Sequence, residues 1–513
     1  MFSQPEDRPA VQGGIHIAGC FGWTVFTLIA TVAFWNRELW SDEAVTLLLA
    51  SGHDPGTLVA GIYEPKALRE YYAAIAVGPL DVWSLAAARD NHPPGYPSLI
   101  SMIASAIGAE ELHVGWLRAL NAALTGFFVF PAFALVRRFG EGRSWLLLAA
   151  IVFSPFAFYL ARELRAYGLI LPLGLTAAWL CLRVREGSLR PVSFLVAILV
   201  VNVAGCLLHR LFVGIVAAEV AYLAAIAVID GTRRGRFIAL TGAVALGSFA
   251  LALPIPNLLS TAPIAGQFET AWLHSPLTVP ATAEAGLSYL GYFLSWWIVP
   301  PDDLFATTVG LAFLIAFAPL ALVLVALALR EIARTAAGAS ALLVGVPLTF
   351  LLALFLVMGV DLSKSPRFSV IWVPLAAIWL VAGMDRLRWH RALIAWVALA
   401  TVCSSFFVLA NLAHTSPDGA RRFAAMLPHV PQGSFVWLDD GTLNARGLLL
   451  SLHSELEHAG MQPVNYRISA AESGEQIAAP IIAAPRRLTA ILQSRCANGE
   501  IVSARSYAAC VVR

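Results

Sequence analysis

Apolar residues along this chain run in long unbroken stretches, with neither the two-residue alternation of a strand nor the stripe of a surface helix. A helix that crosses a bilayer needs about 20 such residues. Stretches of that kind, some a little shorter, fall near 14–35, 114–136, 144–160, 167–183, 192–208, 211–229, 237–254, 305–329, 341–360, 368–383 and 391–411. They predict eleven membrane-spanning helices. One more apolar stretch, 93–108, is short and opens on Pro93 and Pro94; it suits either a twelfth span or a helix lying at the interface.

Loop charge separates these two readings. Arginines cluster after the second span (Arg137, Arg138, Arg143), the fourth (Arg183, Arg185, Arg190) and the sixth (Arg233, Arg234, Arg236). They recur after the eighth (Arg330, Arg334) and the tenth (Arg386, Arg388, Arg391). Clusters in every second loop are what cytoplasmic loops carry. A full span at 93–108 would put all of them outside while the N-terminus stays inside, so the interfacial reading is preferred. Eleven crossings leave the N-terminus cytoplasmic and the C-terminus outside. The first apolar stretch is not followed by a small-residue cleavage site and reads as a span, not a removable leader.

After about residue 412 the pattern becomes mixed. SPDGARRFAAML predicts a helix capped by Ser416 with Pro417 in its first turn. SFVWLDDG predicts a strand ending in a turn, and GLLLSLHSELEHAG a second helix. The expected fold is therefore an all-α polytopic membrane domain over 1–411, with interfacial helices in a first outer loop over 36–113. A small extracytoplasmic α/β domain over 412–513 completes it.

Composition agrees. The 513 residues are 59% hydrophobic and 13% charged, against roughly a quarter charged in soluble domains, and the mean hydropathy is +0.74. A net charge of +2, scattered over short loops, gives nucleic acid no surface to bind. Cys20, Cys181, Cys206 and Cys403 lie in apolar segments and read as small buried hydrophobes. Cys496 and Cys510 flank a short polar stretch, where a disulfide is expected if the tail lies outside the cytoplasm.

With this orientation the polar residues gather on one side. The first outer loop starts with WSDEAVT and ends with RDNHPPGYP; later loops carry ARELRAYG, LLHRLF and DLSKSPRF. The fourth, about 255–304, holds Gln267, Glu269, His274, Asp302 and Asp303. Plain explanations compete at each point. Arginines at helix ends snorkel to headgroups. Asp42 and Glu43 suit the N-terminus of a helix, and as neighbours they point apart, so at most one is reactive. His92 precedes a helix start. Glu219 lies mid-span, where a carboxyl either lines a cavity or pairs with a neighbouring helix. The aromatic run from Tyr289 to Pro301, with Trp296 and Trp297, suits an interfacial belt better than the groove for a lipid chain.

The ordered set of motifs resembles the C-type glycosyltransferases, in the branch similar to protein O-mannosyltransferases and lipid A aminoarabinose transferases. It comprises WSDEA, DNHPPGYP, RALNAAL, SPFAFYLARELRAYGL, LHRLF and PRFSVIWVPLAAI, in that order from about 40 to 380. The resemblance implies an enzyme that moves a sugar from a polyprenyl-phosphate carrier to an acceptor on the outer face of a bacterial inner membrane, the acceptor being a lipid, a glycan or a protein. It implies Asp42 in the acidic motif, beside Glu43, as general base. Substrate contacts would come from His92, from Arg118 in RALNAAL, from the Glu-x-Arg-x-Tyr pattern of Glu163, Arg165 and Tyr167, from His209, and from Arg367 before its aromatic neighbour. Arg162 stands where relatives usually have Gln, and Leu211 follows the His209-Arg210 pair where an aromatic is common.

Such chemistry explains these residue types. A lipid phosphate leaves without a general acid, so one carboxylate suffices to take the acceptor proton, unlike the two of a glycosidase. Arg165, Lys364 and Arg367 suit the phosphate. A monophosphate donor makes a divalent metal dispensable, and no cofactor is expected. The competing classes are a flippase of lipid-linked saccharides, which would place polar groups at mid-membrane between repeats, and an oligosaccharyltransferase with a diphosphate donor.

Overall fold

The computed structural model describes residues 9–139, 144–258, 273–294, 296, 323, 326–327, 330, 337–409, 418–427, 434–461, 463–471, 473, 479–496 and 499–512. These divide into two compact units. A helical unit takes in 9–33, 118–258 and the described residues of 273–409; a sheet unit joins 34–117 to the described residues from 418 onwards.

The helical unit contains α1 (Pro9–Phe34), and in the sheet unit follow α2 (Ser41–Ala50), α3 (Pro65–Ala73), α4 (Pro79–Arg89) and α5 (Gly95–Ala106). The chain then builds α6 (Val114–Gly126), α7 (Val129–Phe139), α8 (Ser144–Val152), α9 (Pro155–Ala161), α10 (Tyr167–Arg185), α11 (Pro191–Leu208), α12 (Phe212–Ile229) and α13 (Arg234–Ala252). After α14 (Val279–Leu294) come α15 (Leu342–Met358), α16 (Val373–Arg386) and α17 (His390–Leu409). Among the described residues, seven helices are long and apolar enough to cross a membrane: Ile17–Phe34, Val114–Arg138, Tyr167–Arg185, Pro191–Leu208, Phe212–Ile229, Gly231–Ala252 and Ala339–Met358. The chain is a multi-pass membrane protein.

Of the four remaining expected spans, 391–411 forms the unbroken 20-residue α17, which is not among these seven, and the other three are broken, begin as another kind of turn or lie largely outside the described residues. The stretch 144–160 is broken into α8 and α9 because Ser154 accepts the Ala157 N–H at 3.3 Å and Pro155 starts a new helix. The stretch 368–383 begins as a 3-10 turn, Pro366–Ile371, before α16. The stretch 305–329 lies largely outside the described residues. The 12-residue α5 falls well short of a span and packs on α2 and α4.

One buried set of polar residues in the helical unit is paired across three helices. On α12, Glu219 is fully buried and accepts a hydrogen bond at 2.7 Å from Asn202 of α11, which also donates to Ser248 of α13 at 3.0 Å. Both expectations for Glu219 are met, since it pairs with the neighbouring helix and also lines a cavity with Leu171, Leu175, Ile215 and Leu343. Val192, Val196 and Val200 form an exposed i, i+4 stripe on α11, as lipid-facing positions do. Trp296 is fully buried against Phe128 and Phe156, with ring centroids 6.3 and 6.4 Å away. That corrects its expected place in a headgroup belt: protein, not lipid, surrounds it. Trp297 lies outside the described residues.

The sheet unit is built from both ends of its sequence. Its strands are β1 (Gly61–Tyr63), β2 (Ser434–Asp439), β3 (Asn465–Ala470), β4 (Ile481–Pro485), β5 (Gly499–Ala504) and β6 (Tyr507–Val512), in the order β1-β3-β2-β4-β6-β5. β2 lies parallel to β3 and β4, with Val436 opposite Arg467 and Ile482, and its apolar run is buried as a central parallel strand requires. β1 comes from the first loop and pairs antiparallel with β3, Ile62 opposite Arg467. The helices α18 (Ala420–Met426), α19 (Leu443–His458) and α20 (Thr489–Arg495) complete the unit. Cys496 and Cys510 form a disulfide beside the core of Val436, Leu438, Ile482 and Ala508. The helix expected from Ser416 starts later, at Ala420, because Gly419 turns the backbone to a φ of 74°; Ser416 and Pro417 lie outside the described residues.

Candidate active site

In the sheet unit the acidic motif opens α2. Glu43 is fully buried: one oxygen meets Arg37 at 3.1 Å and the other accepts the Trp40 N–H at 3.0 Å. Both interactions shape the backbone before α2. Asp42, one position earlier on the helix, is half-buried. Of the two neighbouring carboxylates, Asp42 is the less buried.

His92 belongs to the same unit and closes the α4–α5 connection. Asp90 accepts the His92 backbone N–H at 3.2 Å and faces its Nδ1 at 2.9 Å. This is a local Asx arrangement, and it turns the ring's Nε2 away from Asp90. Asp90 was legible as a turn residue two places before His92, yet its grip on the ring becomes clear only in the structure.

The helical unit assembles the other residues. Glu163 and Arg165 lie in the turn between α9 and α10, both buried. Asn121 of α6 donates to the carbonyls of Ala161 at 3.2 Å and Glu163 at 2.8 Å, fixing that turn. At Gly168 a Cβ would meet the Thr125 hydroxyl at 2.3 Å and the Leu160 carbonyl at 3.3 Å, so the start of α10 can approach α6 only with glycine there. Arg118 is buried on the same helix as Asn121. Arg162 lies over the Tyr159 ring at 4.3 Å, which anchors the departure from the usual Gln in the protein interior.

Arg367 reaches this turn from the 3-10 segment Pro366–Ile371. Its guanidinium stands 3.9 Å from a Glu163 oxygen and 5.3 Å above the rings of both Tyr167 and Phe368. Tyr167 in turn faces His209 with ring centroids 4.8 Å apart and Phe368 edge-on at 5.8 Å. His209 Nδ1 accepts the Leu211 N–H at 3.1 Å, which places the ring proton of the neutral form on Nε2. Glu163, Tyr167, His209 and Arg367 thus form one charged and aromatic cluster, with Arg165 in the same turn. Lys364 does not join it: exposed, it donates to the His274 carbonyl at 3.2 Å. The turn before it is organised by Asp361, which accepts the Ser363 N–H at 3.1 Å and the Ser275 hydroxyl at 3.0 Å.

Phe368, Asn121 and Arg37 were not singled out from the sequence. Phe368 had a signal, as the aromatic after Arg367; Asn121 and Arg37 act through contacts that no local pattern encodes. Among the described residues no three His, Cys, Asp or Glu side chains gather as metal ligands would. Gln267, Glu269, Asp302 and Asp303 lie outside the described residues.

No protein-family model matches the chain, and no curated protein does. Solved structures do, among them ArnT from Cupriavidus metallidurans bound to undecaprenyl phosphate and the same protein in the apo state. Each of these two gives a TM-score of 0.50 over 96% of this chain, at 13% and 12% identity and over 97% and 98% of the ArnT chain. At that identity the likeness is one of fold. The chain has an ArnT-like fold.

Proposed function

We propose that the chain is an inverting glycosyltransferase that moves a sugar from a polyprenyl-phosphate donor to an acceptor hydroxyl. The likeness to ArnT carries the reading: it extends over almost the whole of both chains, and ArnT has been captured with undecaprenyl phosphate. The motif residues support it from within this chain.

In the proposed reaction the acceptor oxygen attacks the anomeric carbon and its proton passes to Asp42. The bond from that carbon to the phosphate oxygen breaks, and its electron pair leaves on the polyprenyl phosphate. In-line attack inverts the anomeric centre. The phosphate is already acidic, so stabilising its charge is the task left to cations. Arg367 suits it, because Glu163 and two aromatic rings hold the guanidinium in one place. Arg165 is proposed beside it, Lys364 at the exposed rim, and Arg118 and Glu163 as the groups that orient donor and cation. His92 and His209 would contact the substrate. The reaction face is the outer side of the inner membrane, the sheet unit being periplasmic, and the acceptor is a lipid, a glycan or a protein.

Purified protein given a labelled polyprenyl-phosphate sugar and envelope lipid extract tests this. Transfer by the wild type and its loss, by about 10³-fold or more, in Asp42→Asn is expected. Full activity in Asp42→Asn would remove Asp42 as the base. Arg367→Ala should weaken donor binding with the fold intact; unchanged donor affinity would take that residue out of the phosphate site.

A further inference from the structure

Lys364 is exposed, yet the turn that carries it is tied to a distant part of the helical unit. α15 ends at Gly359, where a φ of 67° turns the chain aside at little cost for glycine. The residues that follow meet the segment Leu273–Ser275. The Ser275 N–H donates to the Gly359 carbonyl at 3.1 Å and the Asp361 N–H to the Leu273 carbonyl at 2.6 Å. These two bonds frame an antiparallel bridge with His274 opposite Val360.

Asp361 adds its side chain to this junction and uses both carboxylate oxygens. One accepts the Ser363 N–H at 3.1 Å and the Ser363 hydroxyl at 2.5 Å, capping the 3-10 turn Leu362–Lys364. The other accepts the Ser275 hydroxyl at 3.0 Å, 86 positions away in the chain. Tyr292 of α14 donates its hydroxyl to the Ser363 carbonyl and closes the turn from another helix. The Lys364 ammonium then donates to the carbonyl of His274, the residue beside Ser275, at 3.2 Å.

We propose that Asp361 is a positioning residue for Lys364: its carboxylate joins the turn that carries the lysine to the segment whose carbonyl holds the ammonium. The proposal rests on the reading that Lys364 meets the donor phosphate. Capping a turn needs one oxygen, so a cap alone leaves the bond to Ser275 unexplained. A lysine is a compact charge on a flexible four-carbon stem, and it loses rotamer freedom when it engages an anion. An ammonium held in place before the donor arrives has less of that freedom to lose. The turn also runs directly into Pro366–Ile371, so it fixes where the segment carrying Arg367 begins.

The test uses the full-length protein and two readouts. Lys66 and Lys364 are the only lysines in the chain, so a protease specific for lysine has two sites to cut. Asp361→Ala should speed cleavage after Lys364 by about tenfold or more, the scale of losing these hydrogen bonds, while cleavage after Lys66 keeps its wild-type rate. Ser275→Ala breaks only the bond to the distant segment and should speed it by about fivefold. Asp361→Asn still offers an acceptor to Ser363 and a donor to Ser275, and should be cut as the wild type is. The second readout is affinity for a polyprenyl phosphate. Asp361→Ala should weaken it about fivefold, the scale of ordering one long side chain, and by less than about twofold when Lys364→Ala is already present. Wild-type cleavage after Lys364 in Asp361→Ala, or an equal loss of affinity with and without Lys364, would overturn the proposal. Proteolysis needs no donor, so it judges Asp361 even if Lys364→Ala binds as the wild type and the place of Lys364 at the phosphate fails.

Discussion

Around Asp42 the backbone is fixed by hydrogen bonds from partners that are remote in sequence, 377 positions for Ser41 with Asp418 and 416 for Leu39 with Glu455. Around Glu163 the backbone is fixed by one asparagine and a glycine contact between adjacent helices, and the charges are held by rings. The difference follows from what each unit offers. Short helices next to a sheet leave many polar groups to be matched, and carboxylates and backbone N–H groups match them. Apolar spans offer few polar partners, so the guanidinium of Arg367 rests on aromatic faces beside the Glu163 carboxylate. Damage should therefore spread differently: through folding in the sheet unit, through binding in the helical unit.

The largest effect is expected at Arg37. Arg37→Ala leaves Glu43 buried without its ion-pair partner, and removing one member of a buried pair costs about 3–5 kcal/mol. Thermal unfolding in detergent should show the loss, and Arg37→Met combined with Glu43→Gln should recover most of it, because no unpaired charge remains. If Arg37→Ala unfolds like the wild type, the pair does not hold the motif and the contrast drawn above fails on its strongest side.

A smaller, pH-dependent effect belongs to His453 on α19. The ring is fully buried with Nδ1 3.0 Å from the Tyr466 hydroxyl, and burial lowers its pKa from 6.5 to about 4. Its folded form resists protonation, whereas the unfolded chain takes up the proton below about pH 6.5. Stability is therefore lost as pH falls from 6.5 towards 4, by about 3 kcal/mol in total. Asp418, raised towards 6, works in the opposite sense over the same range, so only a difference between variants isolates the histidine. His453→Gln should flatten the acid slope relative to wild type; parallel slopes would show that His453 is not the group responsible.

What the sequence revealed divides along the same line. The spans of the helical unit, the short helix at 95–106 and the Glu163–Tyr167 turn could be read because each depends on residues close together: apolar runs, a proline start, a dense charged turn. Among the described residues seven spans meet the length and hydropathy needed, and the rest of the expected count rests on broken stretches, undescribed ones and the helix His390–Leu409. The β1 strand could not be read, since three residues, Gly-Ile-Tyr, carry no alternation and pair with a strand about 400 positions on. Asp418 was hidden for the same reason: an Asp-Gly dipeptide announces a turn but says nothing of whose N–H its carboxylate will accept. Trp296 misled because an aromatic run at the end of an apolar stretch looks the same in a headgroup belt and in a protein interior. Only the neighbouring rings of Phe128 and Phe156 distinguish the two.

The smallest effect sharpens the other side of the comparison. Tyr167 supplies a face to Arg367 at 5.3 Å and to His209 at 4.8 Å. A cation over a partly desolvated ring is worth about 1 kcal/mol, or about fivefold in affinity. Tyr167→Leu should therefore weaken binding of a polyprenyl phosphate by about that factor, with unfolding temperature nearly unchanged. Tyr167→Phe keeps the ring and should bind as the wild type does. Equal loss in both variants would assign the effect to the hydroxyl and not to the face. No loss in either would mean that the Tyr167 ring takes no part in holding the guanidinium, which Glu163 and the Phe368 ring still contact.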